Sequence, residues 1–265
     1  MTHPTSSAAA DLLSFIDASP SPYHAVAAAV ARLDAAGYDA APGTPTPGQL
    51  PRRGYLADGG LLIAWDVADA ALPWRIIGAH TDSRNLRIKP RPDLGGSGMR
   101  RLAAEPYGGA LLNSWLDRDL GLSGRVAVRE SDGTVGERRF RDDRPLLRVP
   151  QLAIHLDREI STTGLLLNKQ QHLNPVWGLG TPVEGEFSAW LADAVGVVAT
   201  DVLAWDVMCH DTQPSGFLGI EEELISAPRL DNLGSCHGAL SALLAARPTS
   251  TNTMIALFDH EEIGS

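Results

Sequence analysis

The most constraining feature of the chain is an apolar run, Met254-Ile255-Ala256-Leu257-Phe258, that ends in Asp259-His260-Glu261-Glu262-Ile263-Gly264-Ser265. A continuous apolar run without alternation reads as a strand covered on both faces. Such a strand needs neighbours in a sheet and further elements above and below it. Residues 60–67 and 74–79 have the same texture and are the expected neighbours. Together the runs point to an α/β layer architecture.

Helical signals surround these strands. Leu12, Leu13, Phe15 and Ile16 recur at helical spacing across residues 7–18. A second helix opens at Ser21-Pro22-Tyr23, with Ser21 as N-cap and Pro22 at the first helical position, and stops near Gly37. Residues 41–53, rich in Pro, Gly and Thr, are expected to form a loop. From about residue 91 the texture changes. Asp93-Leu94-Gly95-Gly96-Ser97-Gly98 reads as a flexible linker, and short strands are expected at 124–129 and 151–155. Residues 138–148, crowded with Arg and Asp, read as a solvated edge or an interface. A helix follows at 187–195 and a strand at 201–208. The α/β texture returns after about residue 224. The expected organisation is one α/β domain split into 1–90 and 225–265 by an inserted, mainly β domain at 91–224.

Charge and composition narrow the function classes. A net charge of -10 argues against nucleic acid as a partner, because phosphate contacts need a basic face. No apolar stretch approaches the ~18 residues of a membrane span. The start of the chain lacks the basic and apolar regions of a secretory signal. Cys209 and Cys236 form no CxxC motif and read as ordinary buried thiols, so a cytoplasmic, reducing compartment is expected.

Three motifs carry chemistry, each at an element boundary. His80-Thr81-Asp82-Ser83 follows a strand, where ligands of open α/β sheets gather. His80 offers a ring nitrogen to a metal, and Asp82 can hold the other nitrogen. A plain His in a turn, with Asp82 capping a helix, explains the same residues. Ala227-Pro228-Arg229-Leu230-Asp231-Asn232-Leu233 leads into a helix whose buried face is expected to carry Leu230, Leu233, Cys236, Leu240 and Leu243. Asp231 is read as a first-turn or cap carboxylate, held by helix N–H groups and able to bridge two cations. Capping alone also accounts for it. In His260-Glu261-Glu262, adjacent carboxylates diverge, so one can ligate a metal while its neighbour takes a proton from water. The competing reading is a polar turn after a core strand. Taken together, the motifs point to a metal-dependent hydrolase, and the chain has no G-x-S-x-G elbow, P-loop or dinucleotide fingerprint.

The same residues carry a resemblance. The chain resembles the aspartyl aminopeptidase family of dinuclear-zinc metallopeptidases through Ser19-Pro20-Ser21-Pro22-Tyr23-His24-Ala25-Val26, Ala79-His80-Thr81-Asp82-Ser83 and Glu105-Pro106-Tyr107-Gly108-Gly109. Further matches are Trp115-Leu116-Asp117-Arg118-Asp119-Leu120, Leu152-Ala153-Ile154-His155-Leu156-Asp157-Arg158 and Asp211-Thr212-Gln213-Pro214, besides the Asp231 and Glu261 motifs. The resemblance implies a three-layer zinc-peptidase catalytic domain with an inserted dimerisation domain. It implies His80 and Glu262 as metal ligands, Asp231 as the bridge between two zinc ions, Glu261 as general base and Asp82 behind His80. It also implies that His155, in the inserted domain, shapes the substrate pocket of a homo-oligomer. The expected reaction is removal of an N-terminal Asp or Glu from a peptide. In the family the catalytic domain continues past the paired glutamates and supplies a further Asp and a late His ligand. The expectation is therefore a catalytic domain cut short, with activity belonging to the longer form. Alternatives are an inactive subunit acting in assembly, or another dinuclear metallohydrolase such as a carboxypeptidase or amidohydrolase.

Overall fold

The computed structural model describes residues 7–43, 50–247 and 250–264. The chain divides into two compact units, Met1–Ser83 with Pro214–Ser265, and Arg84–Gln213. These breaks precede the boundaries at 90/91 and 224/225 drawn from texture. The reason is local: Pro90 and Pro92, which suggested an end, sit where the register of a continuous strand shifts between Ile88 and Asp93. A bulge is one of the few sheet positions that tolerate proline. At the far break, a small hairpin belongs to the first unit.

The first unit begins with α1 (Ser7–Asp17) and α2 (Pro22–Ala35). Pro22 starts α2 as expected, while the Ser21 hydroxyl pairs with the His24 ring at 2.7 Å rather than with a backbone N–H. Gly37 ends it at φ +77°, with Tyr38 N–H returning to the Leu33 carbonyl. That left-handed glycine cap satisfies the carbonyls a helix leaves over. β1 (Asp39–Ala40), β2 (Arg53–Asp58), β3 (Leu61–Asp66) and β4 (Trp74–His80) follow. Residues 44–49 of the expected loop lie outside the described residues.

The second unit is mainly β. β5 (Asn85–Gly96), β6 (Met99–Tyr107), β7 (Leu120–Arg129), β8 (Val135–Leu147), β9 (Val176–Leu179) and β10 (Val202–Asp211) form a six-stranded sheet in the order β8-β7-β10-β5-β6-β9. All its pairings are antiparallel. α3 (Ile160–Thr163) is one turn, and α4 (Glu186–Val195) buries Phe187 and Leu191 in the sheet's core. The expected linker at 93–98 is instead the tip of the β5–β6 hairpin. Ser97 and Gly98, at φ +53° and +76°, make the two-residue turn that right-handed strand twist favours. The Arg- and Asp-rich stretch is β8, an edge strand laced by Arg138–Glu130, Arg141–Asp143 and Arg144–Asp142 pairs. Residues 151–155 form no strand.

The chain then returns to the first unit through β11 (Gly216–Leu218), β12 (Leu224–Ser226), α5 (Leu230–Ala245) and β13 (Asn252–Phe258). The main sheet runs β1-β2-β3-β13-β4, with β13 antiparallel to β3 and parallel to β4. Alternate residues Tyr55, Leu62, Ala64, Ile255 and Leu257 share one face and join Phe15, Ile16, Ala29, Leu33, Leu233, Leu240 and Leu243 in one core. Leu230, expected in that face, is 40% exposed because the backbone kinks at Asp231 and Asn232 before the helix settles. β4 also departs from expectation. Ile76 and Ile77 point to opposite faces and are 62% and 46% exposed, since β4 is the sheet's edge. Among the described residues the unit thus has one helical layer on a mixed sheet.

Three helices are tied by one carboxylate. Asp11 of α1 receives both terminal nitrogens of Arg32 of α2, at 2.8 and 3.0 Å, and lies 2.6 Å from His237 Nε2 of α5. Arg32 first, then His237, holds the Asp11 carboxyl below its usual range. A depressed carboxyl pKa contributes stability above the unfolded value of ~3.9, lost as pH falls through the folded value. Asp11→Asn is expected to lower the melting temperature by roughly 1–3 °C near neutral pH, since the pair is half exposed. In acid the difference from wild type should shrink towards zero, which thermal melts across the acid range check.

Candidate metal centre

Parallel pairing of β4 and β13 sets Phe258 opposite His80, so both strands release their chains at the same end. Thr81, in the turn after β4, ties it to the end of β13 and to the turn between β2 and β3. Thr81 N–H donates to the Phe258 carbonyl at 2.8 Å, and Thr81 Oγ1 donates to the Gly60 carbonyl at 2.6 Å. A Cβ at Gly60 would lie 2.2 Å from the Asp259 carboxylate and 2.9 Å from Pro22 Cβ, so a side chain there would displace Asp259. α5 is fastened from the other side. Ser83 Oγ donates to the Asp231 carbonyl at 3.0 Å, and Cys236 Sγ donates to the His80 carbonyl at 3.0 Å. Burial, with the Asp82 charge adding, pushes the Cys236 thiol up to about 12, which keeps it a protonated donor.

These ties draw the predicted side chains together. His80 Nε2 lies 3.4 Å from Asp231 Oδ1 and 3.6 Å from Glu261 Oε2. Ligand atoms of His80, Asp231 and Glu262 all fall within 4.8 Å of one another. The other ring nitrogen, Nδ1, is 3.1 Å from the Asp82 carbonyl and 3.3 Å from Asp82 Oδ1. A proton on Nδ1 satisfies those acceptors and leaves the Nε2 lone pair facing the carboxylates. His80 and Asp82 are buried, whereas the side chains of Asp231 and Glu261 are 55% and 60% exposed. The floor is fixed and the rim is open.

Five of the six predicted site residues, His80, Asp82, Asp231, Glu261 and Glu262, lie in the first unit and meet here. His155 lies in the second unit, exposed in the irregular segment before α3. Asp231 lies in the first turn of α5, as expected, but its backbone is extended there, at φ -87° and ψ 105°. Glu261 and Glu262 occupy a one-turn 3₁₀ helix, Glu261–Ile263, entered through His260 at φ +69°. Sequence reasoning missed Arg229, which precedes α5 at φ +55° and donates to the Ser19 and Ile16 carbonyls at 3.1 and 3.2 Å. An arginine at a helix N-terminus opposes the helix dipole, and that mismatch was the available signal.

Comparison with known proteins agrees with this geometry. Residues 15–265 match the family described as aminopeptidase I zinc metalloprotease (M18), and the chain belongs to that family. A probable M18 family aminopeptidase 2 of Streptomyces coelicolor is 50% identical over 264 residues, covering 96% of this chain and 60% of its own. Among solved structures, a chain of the Ape4 and Nbr1 complex superposes with a TM-score of 0.88 at 30% identity, covering 100% of this chain and 57% of that one. Chaetomium thermophilum mApe1 gives 0.85 at 28% identity, covering 97% and 63%. The chain therefore spans about 60% of the length of the curated relatives it matches.

The donor set fits the family's metal. One imidazole nitrogen and two carboxylates in reach of a common point are a ligand set that zinc accepts, leaving a position for water. Replacing His80 removes the nitrogen donor. His80→Ala is expected to weaken zinc binding to this chain at least tenfold, measured by competition with a chromogenic chelator.

Proposed function

We propose that the protein carrying this chain is a zinc-dependent aminopeptidase that removes one N-terminal residue, Asp or Glu, from peptides. The convergence of His80, Asp231 and Glu262 beside Glu261, at the carboxyl ends of two parallel strands, carries this reading. Membership of the M18 family supports it. His80, Asp231 and Glu262 would hold the metal, with Asp231, whose carboxylate stands on the open rim, bridging to a second zinc. Bound zinc polarises a carbonyl and lowers the pKa of an attacking water towards ~7.

Glu261 then acts as the general base. Its carboxylate takes the proton of the attacking water and returns it to the leaving amine, so no charge is stranded as the peptide bond breaks. Its exposed side chain lets it meet the substrate, while Asp82 behind His80 keeps the imidazole oriented for metal binding. The acidic substrate preference rests on family resemblance. Glu261→Gln in the natively expressed protein is expected to reduce turnover of an N-terminal Asp or Glu peptide by ~10²–10⁴ with little change in zinc content. Turnover within about tenfold of wild type would remove Glu261 from this role. Hydrolysis of N-acylated substrates alone would favour an amidohydrolase.

The protein assembles as a homo-oligomer through the second unit, with His155 contributing to a neighbouring copy's substrate pocket. In support, Leu152, Ile154 and Leu156, which flank His155 in sequence, are exposed, apolar side chains that association would cover. Leu152→Asp with Leu156→Asp should reduce the assembly's mass in light scattering. The free, buried thiols of Cys209 and Cys236 suit a cytoplasmic compartment.

A further inference from the structure

We infer that the Asp82 carboxylate positions the Glu261-Glu262 pair by accepting the backbone N–H groups of both residues. Glu261 N–H donates to Oδ1 at 3.3 Å and Glu262 N–H donates to Oδ2 at 3.0 Å. The residue is fully buried. A buried carboxylate is costly unless several donors satisfy it, and here two consecutive amides do so. The His80 ring has a nearer acceptor in the Asp82 backbone carbonyl, at 3.1 Å against 3.3 Å for the carboxylate. Asp82 therefore serves the imidazole through its main chain as well, and its side chain acts across the sheet on the turn after β13.

The turn needs such an anchor. It places two adjacent glutamates near Asp231, a crowd of like charge that repels itself. His260 enters it at φ +69°, a conformation unfavourable for a residue with a Cβ. The amides at the start of this turn have no acceptor within its own hydrogen-bond ladder. Asp82 gives each of them one oxygen and so fixes where the two side chains begin. Asparagine offers one acceptor oxygen and would aim its NH₂ at the remaining N–H. This explains why a fourth carboxylate stands in a site already rich in negative charge. Asp82 is a positioning residue for both the proposed base and a proposed ligand, besides its link to His80.

The consequence for catalysis rests on the metal-centre reading, but the bonds themselves do not, so the test uses metal-free protein. Amide hydrogen exchange at Glu261 and Glu262 is compared in wild type, Asp82→Asn, Asp82→Ala and His80→Ala. Both Asp82 variants are expected to speed exchange of at least one of these amides tenfold or more, while Ile255 and Leu257 in β13 keep wild-type protection. The isosteric Asp82→Asn decides the matter where the alanine variant fails to fold. His80→Ala is expected to leave both amides protected. Unchanged exchange in Asp82→Asn would overturn the inference. So would equal deprotection in His80→Ala, because Asp82 would then act through the ring. Zinc affinity, read separately, is expected to fall ~10–100-fold in Asp82→Asn. Failure of wild type to bind zinc would sink the proposed function and leave the exchange result standing.

Discussion

The site depends on the parallel pairing of β4 with β13. Residues 80 and 258 are far apart in sequence, yet the register Phe258 opposite His80 makes them neighbours at one sheet end. Side-chain period in a strand is two, so a slip of one residue would turn His80 to the other face and separate it from the glutamates. Several features hold that register. Ile255 and Leu257 are buried in the helical core, and Asn252 at the start of β13 bonds the backbone at Ala68, Asp69 and Leu72. At the other end Thr81 continues the ladder beyond the strand. The register is thus pinned at both ends and along its length.

Burial divides the labour within the site. His80 and Asp82 form a floor whose hydrogen bonds run to backbone groups of both post-strand turns and to the Cys236 thiol of α5. Asp231 and Glu261 stand more exposed above it. A ligand must be held still, and a base must reach its substrate. The arrangement gives the first property to the imidazole and leaves the second open to Glu261. Cys236 contributes as a neutral donor beneath His80, a task that its high thiol pKa suits.

Much of this was legible in the sequence because it lies at element boundaries. His80, Asp231 and the Glu261-Glu262 pair each follow or open a periodic segment, and ligand-type residues in such places are informative. What escaped was carried by backbone conformation. The linker reading at 93–98 failed because Ser-Gly is a two-residue turn when antiparallel strands flank it. The kink at Asp231 and Asn232, inside the first turn of α5, escaped because no composition signal announces it. β4 read as fully covered because apolar content reports what a strand can bury and is silent on what covers it. Asp82 was visible as a partner for His80, but its bonds to Glu261 and Glu262 join amides, which every residue has, so no residue type marked them.

The second unit enters the chain between the two halves of the first, directly after the first ligand segment. Ser83 is the last residue before it, and its hydroxyl bonds the carbonyl of Asp231 in the returning half. The first unit must therefore close around a long insertion to build its site. Closure entropy grows only logarithmically, about 0.6 kcal/mol for each doubling of loop length, so such an insertion is tolerated where its ends meet. Ser83 and Asp231 meet at the site itself. Some of the contacts that bring the two halves together are thus also contacts that assemble the proposed metal ligands, which ties an ordered site to correct closure.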